Sequence, residues 1–170
     1  MNRPETNEYD PYYNMYISLI EGNDVLSVLH TEPSEIRAIF SGVPEEKGTF
    51  AYADGKWTIK ELLSHLIDCE RMFAYRVLRI SRGDETPIEG FEQDGYIENS
   101  NANNRSFAEL LDEFDLQRRS NMLMFNNLSE EASKRTGTAN EKSISVRALI
   151  YTMAGHVRHH IRILNERYLA

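Results

Sequence analysis

One cysteine, Cys69, stands in 170 residues; that excludes an internal disulfide framework and fits a reducing, cytoplasmic setting. Long apolar runs are missing too, since no stretch approaches the ~18 unbroken apolar residues of a membrane span. The opening residues Met1-Asn2-Arg3-Pro4-Glu5-Thr6-Asn7-Glu8 hold no apolar core of a secretory signal. Basic charge is in deficit, 19 Lys and Arg against 27 Asp and Glu, for a formal net charge of -8. Such a field repels phosphate backbones, so nucleic acid is not the expected partner. The densest basic stretch, Arg158 to Arg167, lies near a helix end, where cations suit the dipole. Alternating strand patterns are nearly absent and no internal repeat is present.

Helical periodicity remains. The length suits one domain over residues 1–170. A tyrosine-rich helix (Tyr12, Tyr13, Tyr16) is expected over Asp10 to Glu21, stopping at Gly22-Asn23. A second starts at Asn23 or Asp24 and runs to about Phe40, with a bend or restart at Pro33. Thr58 with Glu61 forms a capping box for a helix to about Arg82, and Ser106 with Glu109 does so for one to about Leu128. Residues 84–104 form a long connection with a short helix between Phe91 and Asn99 and an exposed, asparagine-rich end. A polar loop holding Gly137 and Asn140 precedes a last helix from Ser143 or Ser145 to about Tyr168. Four long helical segments predict an all-α four-helix bundle, in which the 84–104 connection can cross from one side to the other.

Helix geometry turns the five histidines into an argument. With about 100° per residue, His65 lies about 60° from Leu62, on the margin of the stripe Leu62, Leu66, Cys69, Phe73 and Val77. On the last helix, His160 and His156 fall about 40° and about 80° from Val146, on one side of an inward stripe. His159, about 140° away, is expected to face solvent. His156 and His160 stand at i, i+4, so both rings can reach one ion. A lone histidine on an apolar face is ordinarily a hydrogen-bonded core residue; His30, beside the expected helix break and with no partner in view, is read as structural. Three leaning inward from two helices admit two readings on spacing alone, structural core histidines or a metal site at His65, His156 and His160.

Neutral imidazoles suit zinc, nickel, copper and iron; here zinc or nickel is expected first, with iron as a further option. Three such ligands leave positions open for water or substrate and can activate a water or a thiol at neutral pH. Cys69, one turn after His65, reads as a small apolar core residue rather than a ligand. Asp68 reads as a solvated charge, with a hydrogen bond to a ligand ring as the alternative. A di-iron centre would need Glu-x-x-His on two helices, whereas Glu61 precedes His65 by four residues and Met153 and Val157 stand three before His156 and His160. Trp57 reads as a core anchor. The tyrosines read as packing or dimer-interface residues, with a pocket-lid role as the alternative, and Tyr75 and Arg76 admit both readings.

Trp57-Thr58-Ile59-Lys60-Glu61-Leu62-Leu63-Ser64-His65-Leu66 through Glu70 to Arg76, then Arg147-Ala148-Leu149 to Gly155-His156-Val157-Arg158-His159-His160, resemble the DinB-like (YfiT) superfamily. Gly90-Phe91-Glu92-Gln93-Asp94 also looks like the family. The resemblance implies an up-down-down-up bundle and a three-histidine divalent metal site mapping onto His65, His156 and His160. It further implies a small-molecule substrate, with low-molecular-weight thiol S-transfer as the expected chemistry, metal-dependent hydrolysis or a non-catalytic bundle with a structural metal as alternatives, and a homodimer as a common state.

Overall fold

The computed structural model describes every residue, Met1–Ala170. Its elements are α1 (Asn14–Ile17), α2 (Val25–Ser41), α3 (Ile59–Ser81), α4 (Gln93–Glu98), α5 (Phe107–Phe125), α6 (Glu130–Lys134), the strands β1 (Thr136–Ala139) and β2 (Lys142–Ser145), and α7 (Val146–Ile163). Both capping boxes form: Thr58 and Ser106 accept from the N–H groups of Glu61 and Glu109, whose carboxylates reach back. Ser145 caps α7, which widens into a π-type turn over Leu164–Tyr168.

Four long helices form the bundle. Arg37 of α2 pairs with Asp112 and Asp115 of α5, while Arg118 reaches back to Glu32, so α2 and α5 run antiparallel. Asn103, just before α5, meets Glu61, and Arg118 meets Glu70; α3 and α5 are therefore parallel. His65 faces His156, and the Tyr168 hydroxyl donates to the Trp57 carbonyl, making α3 and α7 antiparallel. This is the up-down-down-up order, with the connection between α3 and α5 running back along the length of the bundle.

Several expectations fail locally. The helix expected over Asp10 to Glu21 shrinks to the single turn α1, preceded by a 3₁₀ turn over Pro11–Tyr13. Arg3 ends it from outside, donating to the carbonyl of Ile20 at 2.6 and 2.9 Å. The expected break at Pro33 does not occur, and α2 runs through it. Proline leaves the carbonyl four residues earlier without its N–H; that carbonyl, on Leu29, instead accepts from Arg118 Nη1 at 3.1 Å. The polar loop around Gly137 and Asn140 is a hairpin, with Thr136 opposite Ser145 and Ala139 opposite Lys142. Asn140 and Glu141 at its tip take φ of 52° and 62°, the left-handed pair that a two-residue hairpin turn needs. The asparagine-rich end is ordered as well: Asn103 donates to Glu61 and accepts from the Thr58 hydroxyl, bracing the start of α3.

The core is divided. One apolar cluster includes Tyr13, Ile17, Leu29, Phe73, Val77, Phe125, Ile150 and Ala154, and the other Ile36, Phe40, Leu62, Leu66, Phe114, Val157 and Leu164. Along α2, α5 and α7 the switch between them falls where Glu32, Arg118, Asn121 and His156 are buried, and His65 and Glu70 bracket it on α3. A polar belt thus crosses the bundle at mid-height.

Candidate metal centre

On the α3–α7 side of the belt the three predicted rings meet. His156 Nε2 lies 3.1 Å from His65 Nε2 and 3.1 Å from His160 Nε2. His65 is 2% exposed, His156 6%, and His160 is half-buried. A neutral imidazole nitrogen carries one N–H or one lone pair, so the central nitrogen cannot satisfy both neighbours in line. A cation among three lone pairs can. Ligands of a tetrahedral ion at 2.0–2.1 Å stand about 3.3 Å apart, close to the spacing found.

Protonation agrees with that fit. Burial pushes the His65 imidazole down to about 4. Burial, then His65 and His159, take His160 to about 3. His156 falls well below the ordinary range through burial and the rings around it. All three are neutral at pH 7, the form that ligates metal.

Cys69 lies closer to the centre than a packing residue requires. His65, Cys69 and His156 offer ligand atoms within 4.8 Å of one another, a group that can hold a divalent metal. The sulfur is 3.5 Å from His65 Nε2 and 3.7 Å from Nδ1, so it sits beside the ring edge rather than in line with either nitrogen. Burial, with Asp68 and Glu70 nearby, pushes its thiol up to about 12. It remains a protonated neighbour of the histidine cluster unless a cation draws off the proton.

The other singled-out residues sort clearly. Asp68 pairs with Arg71 at 3.5 Å and is not bonded to a histidine ring. His159 does not project freely into solvent: it is half-buried with the Tyr16 ring 5.6 Å away. His30 is exposed on α2. Trp57, expected as a core anchor, is half-buried against the site, its ring 4.6 Å from that of His65 and stacked 6.5 Å from that of His160. It precedes the cap of α3, where helical spacing assigns no face, so periodicity could not find it.

Two cavities flank the rings. The larger, about 520 Å³, includes His156, Cys69, Phe73, Tyr12, Tyr13 and Tyr16 in its walls. The smaller, about 320 Å³, includes His160, Trp57, Tyr52 and Tyr168. Gln93, at the start of α4, borders both. The tyrosines are therefore cleft walls. Gly155 brings them there: a Cβ at this position would collide with the Tyr16 carbonyl, and its absence lets the Tyr16 ring stand 5.4 Å from His156. The hairpin supports the same wall, since the Tyr13 hydroxyl donates to the Ala139 carbonyl and Ile88 N–H to that of Thr138. Arg76, left open above, also lines the larger cavity. At 11 residues beyond His65 it falls only about 20° round α3 from it, so spacing held a signal for its face.

Comparison with known proteins agrees with this architecture. The DinB superfamily model matches residues 29–164. The chain is similar in structure to YfiT from Bacillus subtilis, described as a probable metal-dependent hydrolase with an unusual four-helix bundle topology, at TM-score 0.76 and 17% identity, covering 90% of this chain and 95% of that one. No curated protein matches. No helix is long and apolar enough to cross a membrane.

Proposed function

This chain belongs to the DinB superfamily, and on that footing we propose that it is a metal-dependent enzyme that transfers a low-molecular-weight thiol to an electrophilic small molecule. His65, His156 and His160 hold the ion, zinc or nickel before iron. When bound, a divalent ion supplies Lewis acidity and lowers the pKa of a thiol or water brought to it. The remaining work belongs to the chain. Trp57 shields the cluster on the smaller-cavity side, and Tyr16, held by Gly155, shields it on the other. The two cavities would orient one reactant each on opposite sides of the rings.

The single observation that carries this reading is that pair of clefts. A transfer between two organic molecules needs two binding spaces around one reactive point, and hydrolysis needs only one organic site. Hydrolysis is the second reading, motivated by the description of YfiT, whose likeness at 17% identity concerns the fold. A bundle with a purely structural metal is the third.

Untagged protein should contain one ion per chain by elemental analysis, and both His65→Ala and His160→Ala should lose it. Stoichiometric metal in both variants would overturn the ligand assignment. Metal-loaded protein assayed with bacillithiol, mycothiol and glutathione against chloro-dinitrobenzene should turn over with at least one. Turnover of ester or amide panels without thiol would favour hydrolysis, and a large chelation-induced fall in Tm with no turnover of any kind would favour the structural metal.

A further inference from the structure

The larger cavity contains a charge that the reaction above does not use. Arg76 is 5% exposed, its Nε is buried without a hydrogen-bond partner, and its one hydrogen bond runs from Nη2 to the Glu89 carbonyl at 3.3 Å. No carboxylate lies within ion-pair distance of it. A guanidinium buried with so little compensation is costly, and such charges ordinarily have partners. Its neighbours are otherwise engaged: the Tyr13 hydroxyl donates to Ala139, and the Glu92 carboxylate accepts from the N–H groups of Asp94 and Gly95 at the start of α4. Arg76 is also the only arginine or lysine in the walls, which hold the rings of Tyr13, Tyr16, Phe73 and Phe91 beside the polar side chains of Glu92, Gln93, Asn140, Thr152 and His156.

We propose that this cavity binds a small organic carboxylate, its carboxylate paired with Arg76 and its apolar body lying among those aromatic rings. The assignment rests on reading this cleft as the substrate side of the reaction proposed above. One guanidinium fork matches a monoanionic carboxylate; a phosphate dianion would call for further basic groups. A volume of about 520 Å³ suits a ligand of this kind. Arg76 lies seven residues beyond Cys69, about 10 Å along the helix axis. Arg76 therefore stands about two helical turns from Cys69 and about three from His65, and molecules are selected by the separation between their acid group and their reacting centre.

Calorimetry on the full chain with 4-phenylbutyrate, its primary amide and inorganic phosphate tests this. The carboxylate should bind at least about tenfold more tightly than the amide, and Arg76→Met should remove that difference while leaving amide binding and metal content unchanged. Arg76→Lys should retain part of the preference; it also serves if the Met variant fails to fold. Equal binding of acid and amide by the wild type, an unchanged preference in a folded Arg76→Met, or stronger binding of phosphate would each overturn the proposal. The two readings fail separately. A wild type that shows no preference while it retains metal and thiol turnover defeats only the anion subsite, whereas a wild type that prefers the carboxylate but holds no metal and shows no turnover defeats only the enzyme.

Discussion

On one face of α3 the Glu70 carboxylate meets Arg118 through Nε at 2.7 Å and Nη2 at 2.9 Å, while Asn121 donates to it at 2.9 Å and Glu32 takes Arg118 Nη1 at 2.8 Å. Arg158 Nε adds a longer approach to Glu32, at 3.4 Å. About 100–140° round the same helix stand His65, Cys69 and Arg76, whose polar atoms face one another or a cavity. Both groups belong to the polar belt or its margin. The first spends buried charge on joining α2, α3 and α5, with every carboxylate oxygen but Glu32 Oε1 matched to a donor; the second leaves donors and lone pairs converging on space. Burial alone therefore does not identify a functional polar residue. Whether its hydrogen-bonding capacity is already met by the chain does so far better.

The sharpest way to break that contrast is to remove each arginine. Arg118→Met should cost about 3–5 kcal/mol in denaturant unfolding, because two carboxylates lose their buried partner. Burial already pushes the Glu32 carboxyl up to about 7 against the pull of Arg118 and Arg158, and losing Arg118 should push it further. A loss below 1 kcal/mol would show that the network is better hydrated than its burial implies.

An intermediate effect comes from the latch on the cleft wall. Glu8 accepts from the Ser145 hydroxyl and Arg147 Nε, each at 2.8 Å, fastening the N-terminal segment that carries the tyrosines to the start of α7. Burial alone would raise the Glu8 carboxyl, but Arg147, the Glu5 N–H and Ser145 outweigh it and hold the value at about 2, from 4.5. The folded value is depressed, so the stabilisation is present above about 4.5 and is lost as pH falls through about 2. With the side chain 15% exposed, it amounts to about 3 kcal/mol. Urea midpoints of wild type should fall across that acid window, and Arg147→Ala should flatten the dependence; identical profiles would sink the latch. The smallest effect belongs to Arg76→Met, which should change stability by less than about 1 kcal/mol, because only the Glu89 carbonyl loses a partner.

What the sequence made legible divides along the same physical line. Helix starts were readable because Thr58/Glu61 and Ser106/Glu109 advertise their caps locally, and the inward lean of His65, His156 and His160 followed from angular spacing on long regular helices. The hairpin escaped because its strands are four residues each, Thr-Gly-Thr-Ala and Lys-Ser-Ile-Ser, without apolar alternation, and its turn is Asn140-Glu141 rather than Asn-Gly. The short α1 escaped because Arg3, far from it in the chain, caps its end. Arg76 shares the face of His65, yet spacing says nothing about which buried cations lack partners. That is a property of the assembled side chains.

The proline in α2 carries a consequence for assembly. An α2 segment on its own has a gap in its ladder at Leu29, and isolated helices of this length are marginal in water even without one. The missing donor arrives from α5, on the same side chain that binds Glu70. The middle of α2 thus acquires its full set of bonds only when its antiparallel neighbour docks, so these two helices should consolidate in a single cooperative event rather than one after the other.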